Sequence, residues 1–516
     1  MTLKRLVLSA LTLIVVVLVG SSLLGSLGQP QITNRLQLYQ TNLLLSATEY
    51  EGDGSDQSAQ LRKVLLGDDP LKAALTQYEE VRETAESDLG NMVSRLEALP
   101  QNSTEVGASE NPAPRAQLGQ IVQQQRSLLQ QLDLNIGLIQ AERGEVEAAR
   151  THWRSLIDTT EASSSATSKA IAPTAQTLLG LWESPPRIVP DAEPTLQNNL
   201  DGWFRVVALT RLYTLQQRPD ALATLQAAQQ QQAESTLLKL GIVGTVPTLA
   251  GIAGVGLIIF LIAQRLTQGK QAVLSMQGAA PWETAWDWEI IWQVLIVGFF
   301  FVGQIAVPLL LGGFSSLFTG FGTRARALYS MTYYLLMAGT GLLVLYLSIK
   351  QHFPLSKDWF QFKFNRKWIL WGFGGYLVAL PLMVLVSLVN QQIWQGQGGS
   401  NPLLQIVLEE GDPIALGIFL FTAAVAAPVF EEILFRGFLL PSLTRYVPVS
   451  GAIALSSLLF AIAHLSFSEV LPLATLGAVL GFVYSKSRNL LAPMLLHSLW
   501  NSITMVGLFI LGSGAK

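Results

Sequence analysis

The sequence predicts an all-α protein: a polytopic bundle of about eight or nine transmembrane helices with an N-terminal extramembrane helical domain. Three observations predict it. Half of the 516 residues are hydrophobic and only 13% are charged, about half the ~25% usual in soluble chains. The apolar residues gather into runs of spanning length, and ~20 residues suffice to cross a ~30 Å hydrocarbon core. Between the first run and the others, residues 29–236 are rich in Gln, Glu, Ser and Ala and hold no such run.

Residues 6–27 form the first run, directly after Lys4 and Arg5. A signal-peptide core is usually ~7–15 residues, and no A-x-A site follows here. Residues 1–28 are therefore expected to be an uncleaved signal anchor. In 29–236 a helix is expected over Leu75–Leu99 and a longer helical stretch over Ala116–Thr160. Pro-containing breaks fall at Asn111–Arg115 and Ser184–Pro194, and Gln229–Gln232 is a short low-complexity run. Within Asn135–Ile157, the residues Gly137, Gly144, Ala149 and Trp153 are spaced as in a tetratricopeptide helix pair, where small residues let two helices approach and Trp fills the seam. A weaker copy spans Val207–Ala228, with Ala221, Leu225 and Ala228 at matching offsets. A plain helical hairpin fits the same pattern. Tetratricopeptide-like repeats would imply a protein partner docking on this domain.

From residue 237 onward the apolar runs return, near 240–263, 290–311, 327–349, 368–389 and 414–438, then 450–466, 470–485 and 490–512. The two over 450–485 are short enough to be re-entrant or tilted. We expect residues 237–400 to hold spans outside the motif region described below, and 401–516 to form a catalytic membrane domain. Alternating spans place Lys4, Arg5, Arg265, Lys270, the basic residues of 350–367, Arg436, Arg445, Lys486 and Arg488 on one side, with Arg324 and Arg326 as exceptions. Basic loops mark the cytoplasmic face. Residues 29–236 are then expected on the non-cytoplasmic side of a plasma or internal membrane.

Composition narrows the chemistry. Thirty-three Lys plus Arg against 36 Asp plus Glu leave a net charge of −3, which argues against nucleic acid as a partner. The absence of cysteine removes disulfides, thiolate metal sites and cysteine nucleophiles. The imidazoles are His152, His352, His464 and His497.

A charged side chain inside a span costs at least ~2.5–3.5 kcal/mol, so intramembrane charges need a reason. In the C-terminal third they are Glu431, Glu432, Arg436, His464 and His497, joined by the polar Asn501. Glu432 and Arg436 are four apart and face each other on a helix, which reads as an internal ion pair. Glu431 is rotated about 100° away and is free to meet another helix. Phe460 and His464 share one face, and His497 and Asn501 share another. Three helices can thus aim a carboxylate, two imidazoles and an amide at one point. A partly desolvated carboxylate is a stronger base than one in water. Water held between Glu431 and His464 can be deprotonated to attack a peptide carbonyl, and Asn501 with His497 can stabilise the oxyanion.

The stretch Ala427–Gly437 (APVFEEILFRG) resembles the first motif of the CAAX-protease and bacteriocin-processing family of intramembrane glutamic endopeptidases, which includes type II CAAX prenyl proteases. Phe460–His464 (FAIAH) is similar to its second motif and Ala492–Asn501 (APMLLHSLWN) to its last. The resemblance covers about residues 410–510. It implies a peptide hydrolase with Glu431 as general base, His464 sharing the activated water, His497 and Asn501 at the oxyanion, and Glu432 and Arg436 holding the geometry, with no cofactor. It implies membrane-associated protein or peptide substrates. Three other readings stay open. Glu431, His464 and His497 are a set zinc accepts, set back by the lack of an H-E-x-x-H pair. The same fold can serve as a non-catalytic scaffold that binds membrane proteins. A transporter is the fourth, with no duplicated half to support it.

Overall fold

The computed structural model describes residues 2–27, 29, 31, 33–50, 63, 66–98, 114–161, 168–276, 280–312, 322–394, 396–409 and 412–512. Among the described residues the chain is helical and has no strand. It divides into a unit of Met1–Ile32 with Thr245–Phe509, and a unit of Thr33–Gly244 with Ile510–Lys516.

Eight helices among the described residues are long and apolar enough to cross a membrane. They include α1 (Leu3–Ser26), the long α9 (Pro219–Gln268), α10 (Trp288–Gly312), α11 (Thr323–Ile349) and α12 (Arg366–Trp394). After the short α13 (Pro402–Glu409) come α14 (Pro413–Leu443), α16 (Phe467–Ser487) and α17 (Leu491–Gly512). The chain is therefore a multi-pass membrane protein. On α9, Ile252, Val255, Ile259 and Phe260 point outward, as lipid-facing side chains do where tails replace water.

Local chemistry sets the ends of these helices. Asp412 caps α14, its Oδ1 accepting from Ile414 N–H at 2.9 Å and Ala415 N–H at 3.3 Å, with Pro413 in the first turn. Arg324 donates to the same carboxylate at 2.6 Å, and this bond, with the two backbone bonds, holds Asp412 below the usual carboxylate range. Arg324, an exception in the loop-charge pattern, is thus already paired. The first helix is tied into its unit. Lys4 and Arg5 meet Glu289 at 3.0 and 2.8 Å, Trp292 donates to Thr12 at 2.8 Å, and Ser26 Oγ accepts from Phe467 N–H at 3.1 Å.

The run over 450–466 is short, as its length in the sequence indicates. It forms α15 (Val449–Ile462), 14 residues long, which rises only ~21 Å at 1.5 Å per residue. It falls short of a ~30 Å core. A turn follows, with Leu465 at φ 59°. α15 and α16 lie close because Gly477 has no side chain: a Cβ there would meet Ser457 Cβ at 2.9 Å. Small residues allow such contacts between membrane helices. α14 is irregular, with π turns at Thr422–Ala426 and Glu432–Leu439, a feature frequent at functional sites.

The second unit is built from α2 (Thr33–Thr48), α3 (Pro70–Ala98), α4 (Pro114–Glu142), α5 (Val146–Glu161), α6 (Ser168–Leu181), α7 (Ala192–Asn199), α8 (Gly202–Leu215) and the start of α9. The helical stretch expected over Ala116–Thr160 is two helices, because Gly144 at φ 85° ends α4 and turns the chain into α5. A glycine tolerates this left-handed geometry without Cβ strain. Residues 135–157 thus form a helical hairpin, and 207–228 a second one through the turn after α8. Trp153 is fully buried in the first seam and donates to the Leu134 carbonyl at 3.2 Å. Of the break expected at Asn111–Arg115, residues 111–113 lie outside the described residues, as does Leu99. The division between the units falls inside α9, at Gly244–Thr245, and Gln229–Gln232 is simply helix.

Candidate active site

The charged residues of α14 sort as their helical spacing demands. Glu432 and Arg436 are fully buried. Arg436 Nη1 donates to Glu432 Oε1 at 2.9 Å, and its Nη2 donates to the Gly477 carbonyl at 3.1 Å. The guanidinium lies over the Phe460 ring, 4.6 Å from its centroid. This is a buried ion pair further held by a backbone carbonyl and a ring face.

Glu431, one residue earlier, turns to a different set of partners. Its Oε1 accepts from the Tyr334 phenol of α11 at 3.1 Å, and its Oε2 lies 3.9 Å from His497 Nε2. His497 comes from α17. Its Nδ1 is 2.9 Å from Glu432 Oε1. An ionised carboxylate only accepts, so Nδ1 carries the proton and Nε2 faces Glu431. Both ring nitrogens of His497 thus face the two glutamates. Asn501 Nδ2 donates to the Ala423 carbonyl at 2.7 Å, inside the first π turn of α14, which leaves its second N–H uncommitted.

His464 sits in the turn after α15. Its Nδ1 is 2.9 Å from the Phe460 carbonyl, which can only accept. The proton is on Nδ1, and Nε2 is the basic nitrogen of the neutral ring. Phe460 meets His464 and His497 edge-on, with centroids 5.0 and 5.8 Å apart. One aromatic ring thus orients both imidazoles and caps Arg436.

These groups share a cavity. About 660 Å³ in volume, it is lined by Glu431, His464, His497 and Asn501 together with mostly apolar side chains from α10, α11, α14, α16 and α17. That size lies within the ~300–1,000 Å³ usual for ligand sites. The sequence-expected residues Glu431, His464, His497 and Asn501 thus line one cavity with Phe460, and Glu432 and Arg436 are buried outside its lining. Among the described residues no three His, Asp or Glu side chains gather as a set able to hold a metal ion.

Sequence reasoning missed three polar residues. Gln304 of α10 donates to the Ala463 carbonyl at 3.2 Å, next to His464. Glu469 of α16 lines the cavity and accepts from Asn401 N–H at 2.6 Å. Tyr334 is the third. Gln304 was findable by the search for polar groups in apolar runs, whereas Glu469 falls between two of them. Tyr334 carried no signal, since tyrosine is ordinary in membrane helices.

Comparison with known proteins agrees with the motif reading. Residues 413–503 match the family described as type II CAAX prenyl endopeptidase Rce1-like, and all three motifs lie inside that segment. The chain is 26% identical over 197 residues to the membrane-embedded CAAX protease MroQ of Staphylococcus aureus, covering 37% of this chain and 77% of that protein. It is 34% identical over 124 residues to the UPF0177 protein YxdF of Lactococcus lactis, covering 24% of this chain and 63% of that one. No solved structure matches. α1 to α12 lie outside the family match.

Proposed function

We propose that the chain is an intramembrane endopeptidase that hydrolyses membrane-associated proteins with water activated by Glu431 and His464. The observation that supports this reading is the shared cavity: a carboxylate, two oriented imidazoles and an amide line it amid mostly apolar side chains. Four such groups exceed what helix packing requires. The similarity to a CAAX protease supports the same class.

The chemistry runs as follows. Glu431 takes a proton from water, aided by the unprotonated Nε2 of His464. The hydroxyl oxygen bonds to the scissile carbonyl carbon, and the carbonyl electron pair moves onto its oxygen. The second N–H of Asn501 donates to that oxyanion, joined by His497 when Nε2 carries a proton. One such donor is worth about 3–4 kcal/mol of barrier. Collapse breaks the C–N bond, and the proton held by Glu431 passes to the departing amine. A carboxylate and an amine result. No metal enters this scheme.

Residues 29–236 would lie on the non-cytoplasmic face, where their helical hairpins would offer a docking surface for protein substrates or partners. The chain has no native cysteine, so a Ser155→Cys variant tests this directly. Labelling by an impermeant maleimide in intact cells is expected. Labelling only after lysis would reverse the orientation.

The protease reading is tested by comparing protein termini across the membrane proteome of cells with wild type and with Glu431→Gln at equal abundance. A full-length membrane protein that accumulates only in the variant is expected. Identical termini, alongside a phenotype in cells lacking the chain, would move the assignment to a scaffold that binds membrane proteins.

A further inference from the structure

The family match begins at the start of α14, and the carboxylate proposed as the base is held by a helix N-terminal to it. Tyr334 lies on α11. Its phenol donates to Glu431 Oε1 at 3.1 Å, and its ring packs edge-on against Phe430, with centroids 6.3 Å apart. Phe430 is itself seated where Gly341 of α11 lacks a side chain, since a Cβ there would approach its ring to 3.2 Å. The backbone of α11 and the side chain of Tyr334 thus grip consecutive residues, Phe430 and Glu431.

We propose that Tyr334 is a positioning residue for Glu431, so that the catalytic unit extends back to α11. This rests on the protease reading above. A free carboxylate in the cavity rotates about its side-chain torsions and presents either oxygen. With Oε1 bound to the phenol, Oε2 is the oxygen turned to His497, at 3.9 Å. The phenol contributes no proton to the products; it selects which oxygen meets water. Gln304 acts in parallel on the other partner, fixing the carbonyl of Ala463 beside His464. Two helices N-terminal to the family match therefore each steady one member of the proposed Glu–His pair.

The test uses Tyr334→Phe in the full-length chain, which removes one oxygen and keeps the ring against Phe430. Infrared difference spectra in nanodiscs, each protein against its own Glu431→Gln version, isolate the Glu431 carboxyl bands. Bands that differ between wild type and Tyr334→Phe are expected; identical bands overturn the contact. With the substrate that Glu431 dependence identifies, kcat is expected to fall roughly tenfold to a hundredfold with KM unchanged, the size of a hydrogen bond to a charged group. Tyr346→Phe, at the far end of α11 and half exposed, is expected to match wild type. Altered bands with unchanged kcat overturn the positioning role while leaving the protease reading intact. If Glu431→Gln changes no protein terminus, the protease reading and the kinetic half of this proposal fail together, and the spectra still decide the contact.

Discussion

His497 Nδ1 lies 2.9 Å from Glu432 Oε1, the same carboxylate oxygen that takes Arg436 Nη1 at 2.9 Å. One buried carboxylate thus anchors an imidazole from α17 and a guanidinium from its own helix. The imidazole's other nitrogen faces Glu431. The two adjacent glutamates divide the work: Glu432 holds the frame, and Glu431 faces the cavity.

Glu432→Gln is therefore expected to damage the fold, whereas Glu431→Gln spares it. Breaking a buried pair leaves an uncompensated charge and costs about 3–5 kcal/mol. Here the strain is compounded, since Glu432 Oε2 and Arg436 Nε are already buried without a hydrogen-bond partner. Thermal unfolding of the two variants in the same detergent checks this. Equal midpoints would show that Glu432 is not the structural member of the pair.

The extent to which this site was legible depends on sequence distance. The Glu432–Arg436 pair follows from helical periodicity alone, and the structure returns it. The tie from His497 to Glu432 spans 65 residues; a helical wheel gives the face of His497 but not the helix across from it. Tyr334 was illegible for the same reason and for lack of any compositional mark. The short α15 was foreseen as an awkward length, because apolar runs report their own span. The turn at Gly144 was legible, since the spacing of Gly137, Gly144, Ala149 and Trp153 already read as a helix pair. The unit boundary at Gly244–Thr245 lies eight residues past the change of composition at 236–237, and α9 runs through both unbroken.

Gly137→Ala is expected to destabilise the second unit although alanine favours helices. A Cβ at Gly137 would lie 2.3 Å from Trp153 Nε1, and the ring is fully buried with no room to retreat. Overpacking of this kind costs about 1–3 kcal/mol, more than the gain of about 1 kcal/mol in propensity. Gly119, on the same helix, meets nothing within 4 Å, so Gly119→Ala should stabilise. Hydrogen exchange of peptides from α4 and α5 reads both; faster exchange in Gly119→Ala than in Gly137→Ala would refute the packing account.

Acid should loosen the α7–α8 region through Glu193. Its carboxylate accepts from Tyr213 Oη at 2.7 Å and from Arg218 at 2.6 Å, and these bonds, Tyr213 first, hold it below the ordinary glutamate value. A depressed folded-state value adds stability that is fully present above the unfolded value of about 4.3. That stability is lost as pH falls through the folded value. Exchange of α7 and α8 amides in the full chain should therefore rise from about pH 4 downward, and Glu193→Gln should flatten that dependence. A slope unchanged by the substitution would assign the acid sensitivity to other carboxylates.

Gly398→Ala tests whether the glycine-rich loop after α12 is a passive link. Gly398 sits at φ 98°, where an alanine is strained, and an added Cβ would meet Ser468 Cβ at 2.9 Å and the Trp394 ring at 3.0 Å. Its carbonyl accepts from Ser466 Oγ at 3.0 Å and from Ser468 N–H at 3.3 Å, while Ser468 Oγ donates to the Gly399 carbonyl at 2.5 Å. These bonds fasten the loop to Ser466, two residues past His464, and to the first turn of α16. Left-handed strain alone costs about 1–3 kcal/mol, and relieving it requires the loop to pull away from Ser466 and Ser468. The His464 turn then loses its anchor. Gly398→Ala should lower both the unfolding midpoint and the Glu431-dependent cleavage rate. Gly374→Ala, on α12 with nothing within 4 Å of the added carbon, should change neither. If Gly398→Ala lowers the midpoint and leaves cleavage at wild-type rate, the loop supports the fold without positioning His464.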